Sequence, residues 1–464
     1  MSGLSPAGLR WDDWAPCLGA GDHAEVFLED GRSLSLGFED GRLSDASETS
    51  DAGAGLRLLL RGPGGRVETR FGSLSGFDAA AARALAGRLS AGLPARKAPP
   101  APRLDARRTV PRVPPAEVSL ERKAALLARL DAAVRAEFPL ASQVQLSYSE
   151  RDRTVAVLDS AGTFSLSARS AVLFAVSVTA RKGAVLQTGS DVVGGLRGWE
   201  ALAGGAPLAA CRRAARLAVA KLTAPLAKPG EFPVVLAASA GGTFVHEAIG
   251  HSLEADHVQE GTSPAFAGKI GRRVAAESLT IIDDPTLPFA RGSYPFDDEG
   301  CPAQPVSLVE RGVLRGYLHD RVSALRGGGA VNGHGRRQSY RSRPIPRMSN
   351  IYIAPGPDDP AAILGGLKKG LLVTRMGGGE VNTATGEFIF GVDEGFWVED
   401  GRPKHMVRDA NILGVGPEVL RSIDRVGWDI GWGLGTCGKQ GQGVPVSDGQ
   451  PTLRIPKLLV GGRS

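Results

Sequence analysis

His246, Glu247 and His251 stand in the stretch GGTFVHEAIGHSLEADH, residues 241–257, in the pattern H-E-x-x-x-H. Two imidazoles beside a carboxylate are the parts of a catalytic zinc site. The imidazoles ligate the metal and the neighbouring glutamate activates a metal-bound water. In the commoner H-E-x-x-H the histidines share one helix face. Here they are five residues apart, which on a straight helix separates them by roughly 140° at about 100° per residue. The helix must therefore bend, carry a π-bulge or end between them. Gly250 suits such a departure. The expectation is a helix that begins near Ser239 or Thr243 and is distorted by His251. With seven histidines in the whole chain, a chance meeting of two with a glutamate in this frame is rare. The metal reading therefore outweighs that of two ordinary polar residues on a helix.

A catalytic zinc needs a third protein ligand. Glu254, Asp256 and His257 lie close in sequence, and Cys437 is distant. Spacing alone leaves all four open. Cys437 lies between Thr436 and Gly438 with Lys439 nearby, which reads as a loop thiolate beside a cation. Cys211 falls on the apolar face of a helical pattern with Leu208, Ala215, Ala218 and Leu222 and reads as a small buried hydrophobe. Cys17, Cys211, Cys301 and Cys437 are far apart. No disulfide framework is implied, and a reducing compartment fits.

The elements that must position these groups have an α+β pattern. Residues 24–71 read as a meander, with Val26 and Leu28, then Leu34, Leu36 and Phe38, then Leu56, Leu58 and Leu60 at period two. Asp-Gly-Arg at 30–32 and again at 40–42 marks two hairpins. A helix follows through Phe77, Ala81, Leu85 and Leu89. This N-terminal α+β domain spans 1–93. Residues 94–115 are rich in proline and arginine and read as an extended linker or surface crossover. A second α+β domain, 116–228, opens on the N-cap Ser119 and a helix through Leu127, Leu130 and Val134. Separate strands through Val144–Tyr148, Val155–Val157 and Val172–Val178 follow, with a turn at Arg181-Lys182-Gly183. The C-terminal domain, 229–464, is strand-rich. Val234–Leu236 forms a buried strand feeding the motif helix, and residues 377–403 read as two or three strands with tight turns.

Net charge is +6 and glycine numbers 63 of 464 residues, the latter well suited to many turns between strands. The mild basic balance is weak evidence for nucleic acid, and the basic segment 94–115 lacks interleaved aromatics, so nucleic acid is not an expected partner. The chain has no apolar stretch of about eighteen residues and no signal-like start. The expectation is a soluble, cytoplasmic protein without a membrane partner.

The stretches VHEAIGHSLEADHV, GTSPAFAGKIGRRVA, RRQSYRSRPIPRMSNIYIAPG, GGGEVN to TGEFIFGV, and TCGKQGQGVPVSDGQPTLRI together resemble the TldD/PmbA family of metalloproteases, on the TldD side. The resemblance covers nearly the whole chain and is strongest after residue 240. It implies a Zn2+-dependent peptidase acting on unfolded peptides, such as peptide-antibiotic precursors and antitoxins. It implies His246, His251 and Cys437 as metal ligands and Glu247 as the catalytic base. It also implies a dimer, formed either with itself or with a PmbA/TldE-like paralogue that lacks the metal motif. Here the motif is present, as in the active subunit.

On this reading Glu247 takes the proton of the zinc-bound water. An oxyanion donor is also required, for which His319, His334, Arg336, Arg337, Tyr340 and Arg343 are candidates by residue type. The GGGEVN region offers an edge for an extended peptide. The competing reading is a non-catalytic regulatory or scaffold subunit holding a structural metal, closed by Glu254 or His257.

Overall fold

The fold is seen in a computed structural model that describes residues 4–462. It is a mixed α+β architecture, with an antiparallel sheet and its helices in the N-terminal half and a strand-rich C-terminal half.

The N-terminal sheet is built from long strands: β1 (His23–Glu39), β2 (Arg42–Arg61), β3 (Val67–Ser75), β4 (Asp105–Arg108), β5 (Ala141–Asp159), β6 (Phe164–Lys182) and β7 (Val185–Gly195). Their order is β3-β2-β1-β5-β6, with β4 and β7 both paired to β6. The two sequence units thus share one sheet through the β1–β5 pairing. Helices Ala79–Leu89, Leu120–Glu137 and Ala206–Lys221 cover one of its faces in two apolar clusters. Asp78 and Ser119 cap the first two, each side chain accepting backbone N–H groups. Cys211 is fully buried in this layer, and burial pushes its thiol up to about 12.

Two sequence expectations fail here for one reason. Asp-Gly-Arg at 30–32 is not a hairpin. β1 runs straight through it, with Gly31 paired to Asp51 on one side and Arg153 on the other. Ladders on both sides satisfy the backbone, and they outweigh a local turn preference. The same dipeptide start at 40–42 does turn, with Asp40 at φ 49° and Gly41 at φ 82°. Likewise Val144–Tyr148 and Val155–Val157 belong to one strand, β5, rather than two. The turn after Lys182 occurs as expected, with Gly183 at φ 60°. Within 94–115, Asp105–Arg108 adds to the sheet parallel to β6, and its residues are exposed.

The other face of the sheet meets the C-terminal half. Phe27, Val155 and Val157 pack with Tyr340 there. Around them lies a buried ion network in which Arg57 bridges Glu25 (2.5 Å) and Glu299 (2.6 Å), and Arg337 also reaches Glu25.

In the C-terminal half, strands Lys369–Val381, Gly230–Leu236, Leu453–Gly462, Ala410–Val415 and Glu387–Glu399 pair in that order. The last closes back on the first as a five-stranded barrel. A second sheet has the order Val313–Leu314, Val306–Glu310, Ile281–Asp283, Asn350–Ile353, Gln442–Gln450 and Gly431–Lys439. The motif segment is wedged into the core these two sheets share. Phe244 is fully buried there and meets Phe388 edge-on at 5.9 Å. Burying one such side chain stabilises by about 1.5–3 kcal/mol, so the segment is anchored by its apolar residues while its polar ones are left to the site. Among the described residues no helix is long and apolar enough to cross a membrane.

Candidate metal centre

From Thr243 to Leu253 the motif segment is helical but never one kind of helix for long. Thr243–Val245 is α-helical, His246–Gly250 is a π turn, and His251–Leu253 is 3-10. The π turn is the distortion that five-residue spacing demands. Widening the turn brings His251 back to the face of His246, and the two rings stand 5.1 Å apart at 80°. Gly250 does not supply the bend through unusual dihedrals, because its φ of −55° is ordinary for a helix. It is required for space: a Cβ there would lie 2.2 Å from Met348 Sδ and 3.1 Å from Ile351 Cδ1.

His246, His251 and Cys437 come together, one ligand atom from each lying within 4.8 Å of the others. Cys437 is not on a loop. It sits on the strand Gly431–Lys439, buried, with Sγ 3.5 Å from His251 Nε2. Burial alone would raise its thiol, but hydrogen bonds and charge from His246 and His251 bring it down to about 5. The expected cation, Lys439, is engaged elsewhere. Its ammonium lies 2.7 Å from Asp256, 3.0 Å from Glu254 and 3.0 Å from the Pro346 carbonyl. Residues 437 and 439 are two apart on a strand and share a face, yet the lysine reaches past the thiol to the acids behind it.

Those acids are the nearby candidates for the third ligand, and they are otherwise engaged. Glu254 is fully buried and places Oε2 3.1 Å from His251 Nδ1. Burial would raise its carboxyl, but Lys439, His251 and Arg347 hold it well below the usual carboxylate range. It therefore orients His251 from behind, leaving Nε2 toward Cys437, in the carboxylate–histidine arrangement common around metal sites. Asp256 accepts from Lys439, and His257 Nδ1 is 2.8 Å from Thr262 Oγ1.

Asp448, on the strand Gln442–Gln450, is a site residue that sequence reasoning missed. Its Oδ2 lies 3.9 Å from His246 Nδ1, and that nitrogen is buried without a hydrogen-bond partner. Arg347 was missed too. It is fully buried, donates to the backbone carbonyl of Cys437, and lies 3.9 Å from Glu254. Both act across ninety residues or more, so no local spacing announces them.

Glu247 follows His246 in the π turn and is half-buried. Burial raises its carboxyl above the ordinary value, against the pull of His246 and His251. Among the described residues, none of the six oxyanion candidates bonds to His246, Glu247, His251 or Cys437. His334 faces Asp283 and the Asn332 carbonyl, and Arg336 holds the Met348 and Pro445 carbonyls. Arg337 and Tyr340 reach back to the N-terminal sheet. His319 contacts Ser323, and Arg343 is exposed.

The donor set fits a metal of the zinc type. Two imidazoles and a thiol already shifted toward thiolate match the N and S ligands zinc prefers, and three protein ligands leave a coordination position open. Two histidines from a distorted helix and a cysteine from a neighbouring strand make a candidate metal centre built on an α+β frame.

Comparison with known proteins gives the family. Models for domain 1, the central domain and the C-terminal domain of the PmbA/TldA metallopeptidases match residues 24–87, 113–222 and 229–462. The chain belongs to the PmbA/TldD family of metallopeptidases. It is 36% identical to the metalloprotease TldD homolog of Haemophilus influenzae over 74% of this chain and 72% of that protein. It is also 36% identical to the zinc metalloprotease TldD homolog of Saccharolobus solfataricus, over 51% of this chain and 52% of that one. The crystal structure of TldE from Thermococcus kodakarensis has the same fold, with a TM-score of 0.72 at 20% identity, covering 95% of this chain and 97% of that one.

Proposed function

We propose that this protein is a zinc-dependent peptidase that hydrolyses unfolded or extended peptides, with His246, His251 and Cys437 as the zinc ligands. The convergence of those three side chains within 4.8 Å, with Glu247 adjacent, carries this reading. When bound there, zinc would supply a Lewis acid for the scissile carbonyl. Glu254 keeps His251 in one orientation through Nδ1, and Arg347 fixes the strand bearing Cys437 through its carbonyl. Glu247 takes a proton from the attacking water on its carboxylate and returns it to the leaving amine. A carboxyl raised by burial is suited to both halves of that transfer near neutral pH. That Glu254 and His257 are held by other partners counts against a closed structural site and a merely scaffolding role.

Extended peptides suit the surroundings. Gly431–Lys439, which carries Cys437, is the edge strand of its sheet, and an edge can take an added strand through backbone groups with little regard to sequence. In the GGGEVN segment, Gly379–Val381 pair only with Glu387–Glu399 among the described residues and offer a second such edge beyond the closed part of the barrel. A dimer, either of this chain or with a PmbA/TldE-like chain, belongs to the same proposal. It is supported by the family resemblance, and a light-scattering mass of the active species tests it.

The test of the activity is digestion of one protein substrate in folded and unfolded forms. The unfolded form should be cut, cutting should stop on chelation, and added zinc should restore it. Undiminished cutting by the metal-free protein would overturn the reading.

A further inference from the structure

Away from the thiol, a second cluster of ionisable groups has no role in the chemistry above. Arg151, Arg153, Arg169, Arg291, Arg336 and Arg337 line one pocket between the N-terminal sheet and the strand Gln442–Gln450, and Asp298 is the only carboxylate in its lining. Some of this charge is matched. Arg151 and Arg153 pair with Glu29, Arg153 with Asp298, and Arg337 with Glu25. The rest has no carboxylate partner among the described residues, although Arg169 and Arg336 also face the Tyr294 ring. Arg169 donates to the Ser293 carbonyl at 3.3 Å, Arg291 to the Gly435 carbonyl and Thr436 hydroxyl, and Arg336 to two carbonyls. Donors are also left over. Arg153 Nη2 and Arg337 Nε and Nη1 are buried without a partner, and Arg337 is 1% exposed. Buried cationic donors without acceptors are costly, and an anion that satisfied several at once would remove that cost. Burial first, and Arg153 and Arg336 close by, push Arg169 down to about 9, against the pull of Asp298.

The pocket adjoins the metal centre. Arg291 bonds Thr436, the residue before Cys437. Cys437 pairs with Val444, and Thr436 with Pro445. Arg291 and the Cys437 thiol therefore lie on opposite faces of this strand pair. An extended peptide alternates its side chains in the same way, so a residue next to the one at the metal centre projects toward the arginines.

We propose that this pocket binds a carboxylate of the extended peptide, first of all an aspartate or glutamate side chain beside the scissile bond. The proposal rests on the peptidase reading of the metal centre, but its test does not use turnover. Four labelled peptides of one sequence are titrated against the zinc-loaded Glu247→Gln protein at about 0.15 M salt, where long-range attraction is screened. They carry Glu or Gln at one internal position and end in a free acid or an amide. The Glu peptides should bind about tenfold tighter than their Gln partners, the scale of a charge-assisted Arg–carboxylate pair. The preference should collapse in Arg169→Gln. It should weaken in Arg151→Gln, whose side chain is 48% exposed and whose loss leaves the core intact. If the preference follows the free acid instead and collapses in the same variants, the pocket takes the terminal carboxylate. Equal binding of all four peptides, or a preference unchanged in both variants, overturns the proposal. Failure of the unsubstituted protein to cut any of the four would overturn the peptidase reading and leave the binding result standing.

Discussion

The N-terminal sheet and the segment from Gly241 to Gln259 use the backbone in opposite ways. The sheet repeats one conformation over strands of 17, 20, 19 and 19 residues in near-unbroken register. The motif segment passes through α, π and 3-10 turns and an extended residue between Thr243 and Glu254. Repetition builds a broad apolar face for helices to cover. Irregularity lets residues five apart reach one point. The sheet is thus held by many interchangeable contacts, and the site by a few that have no substitute.

That contrast orders the effects of substitution. The largest belongs to Cys437→Ser, which should lose zinc and with it all peptide cleavage. Cys211→Ser, in the helix-covered layer, and Cys301→Ser should keep their metal. Metal analysis of the three purified variants decides it, and equal zinc in all three would move the third ligand elsewhere.

Next is Glu254→Gln. The amide keeps the shape but removes the charge that orients His251 and balances Lys439 and Arg347. Loss of such a supporting group weakens metal binding by about 10- to 100-fold. Competition with a zinc chelator measures it. The depressed carboxyl also has a pH signature. The stability it contributes is fully present above the ordinary carboxylate pKa of about 4.3 and is lost as pH falls toward the lower folded value. Glu254→Gln should flatten that acid limb of the unfolding curve.

Two glycines bear on stability rather than on the metal. Gly250→Ala forces a Cβ to 2.2 Å from Met348 Sδ and should cost about 1–3 kcal/mol, the usual range for overpacking. Gly31→Ala, in mid-strand, meets nothing closer than the Asp51 carbonyl at 3.6 Å. It should gain about 0.5 kcal/mol, because glycine is a poor strand residue. Denaturant midpoints for the pair compare the two regions directly, and equal losses would erase the contrast.

The same contrast explains what the sequence made legible. Period-two alternation at Val26, Leu28, Leu34, Leu36 and Phe38 marked a strand face. It could not say that Asp30-Gly31-Arg32 would be carried straight through, since that depends on β2 and β5 pairing from both sides. At the site, the distortion of the helix followed from the spacing of His246 and His251 alone. The strand position of Cys437 did not, because the glycines that suggested a loop belong to an edge strand. Asp448, Arg347 and the true partners of Lys439 depend on contacts across the fold. The six oxyanion candidates rest on residue type alone, and packing engages most of them elsewhere.

In the proposed peptidase His246, His251 and Cys437 hold the metal while Glu247 moves the proton. Glu247→Gln separates the two most directly. Glutamine has nearly the same shape but cannot accept a proton as a carboxylate does. The variant should bind zinc and peptide as the parent does, while cleavage falls by about two to four orders of magnitude, the span of general base catalysis. Cleavage at the parent rate with zinc in place would mean that Glu247 is not the base.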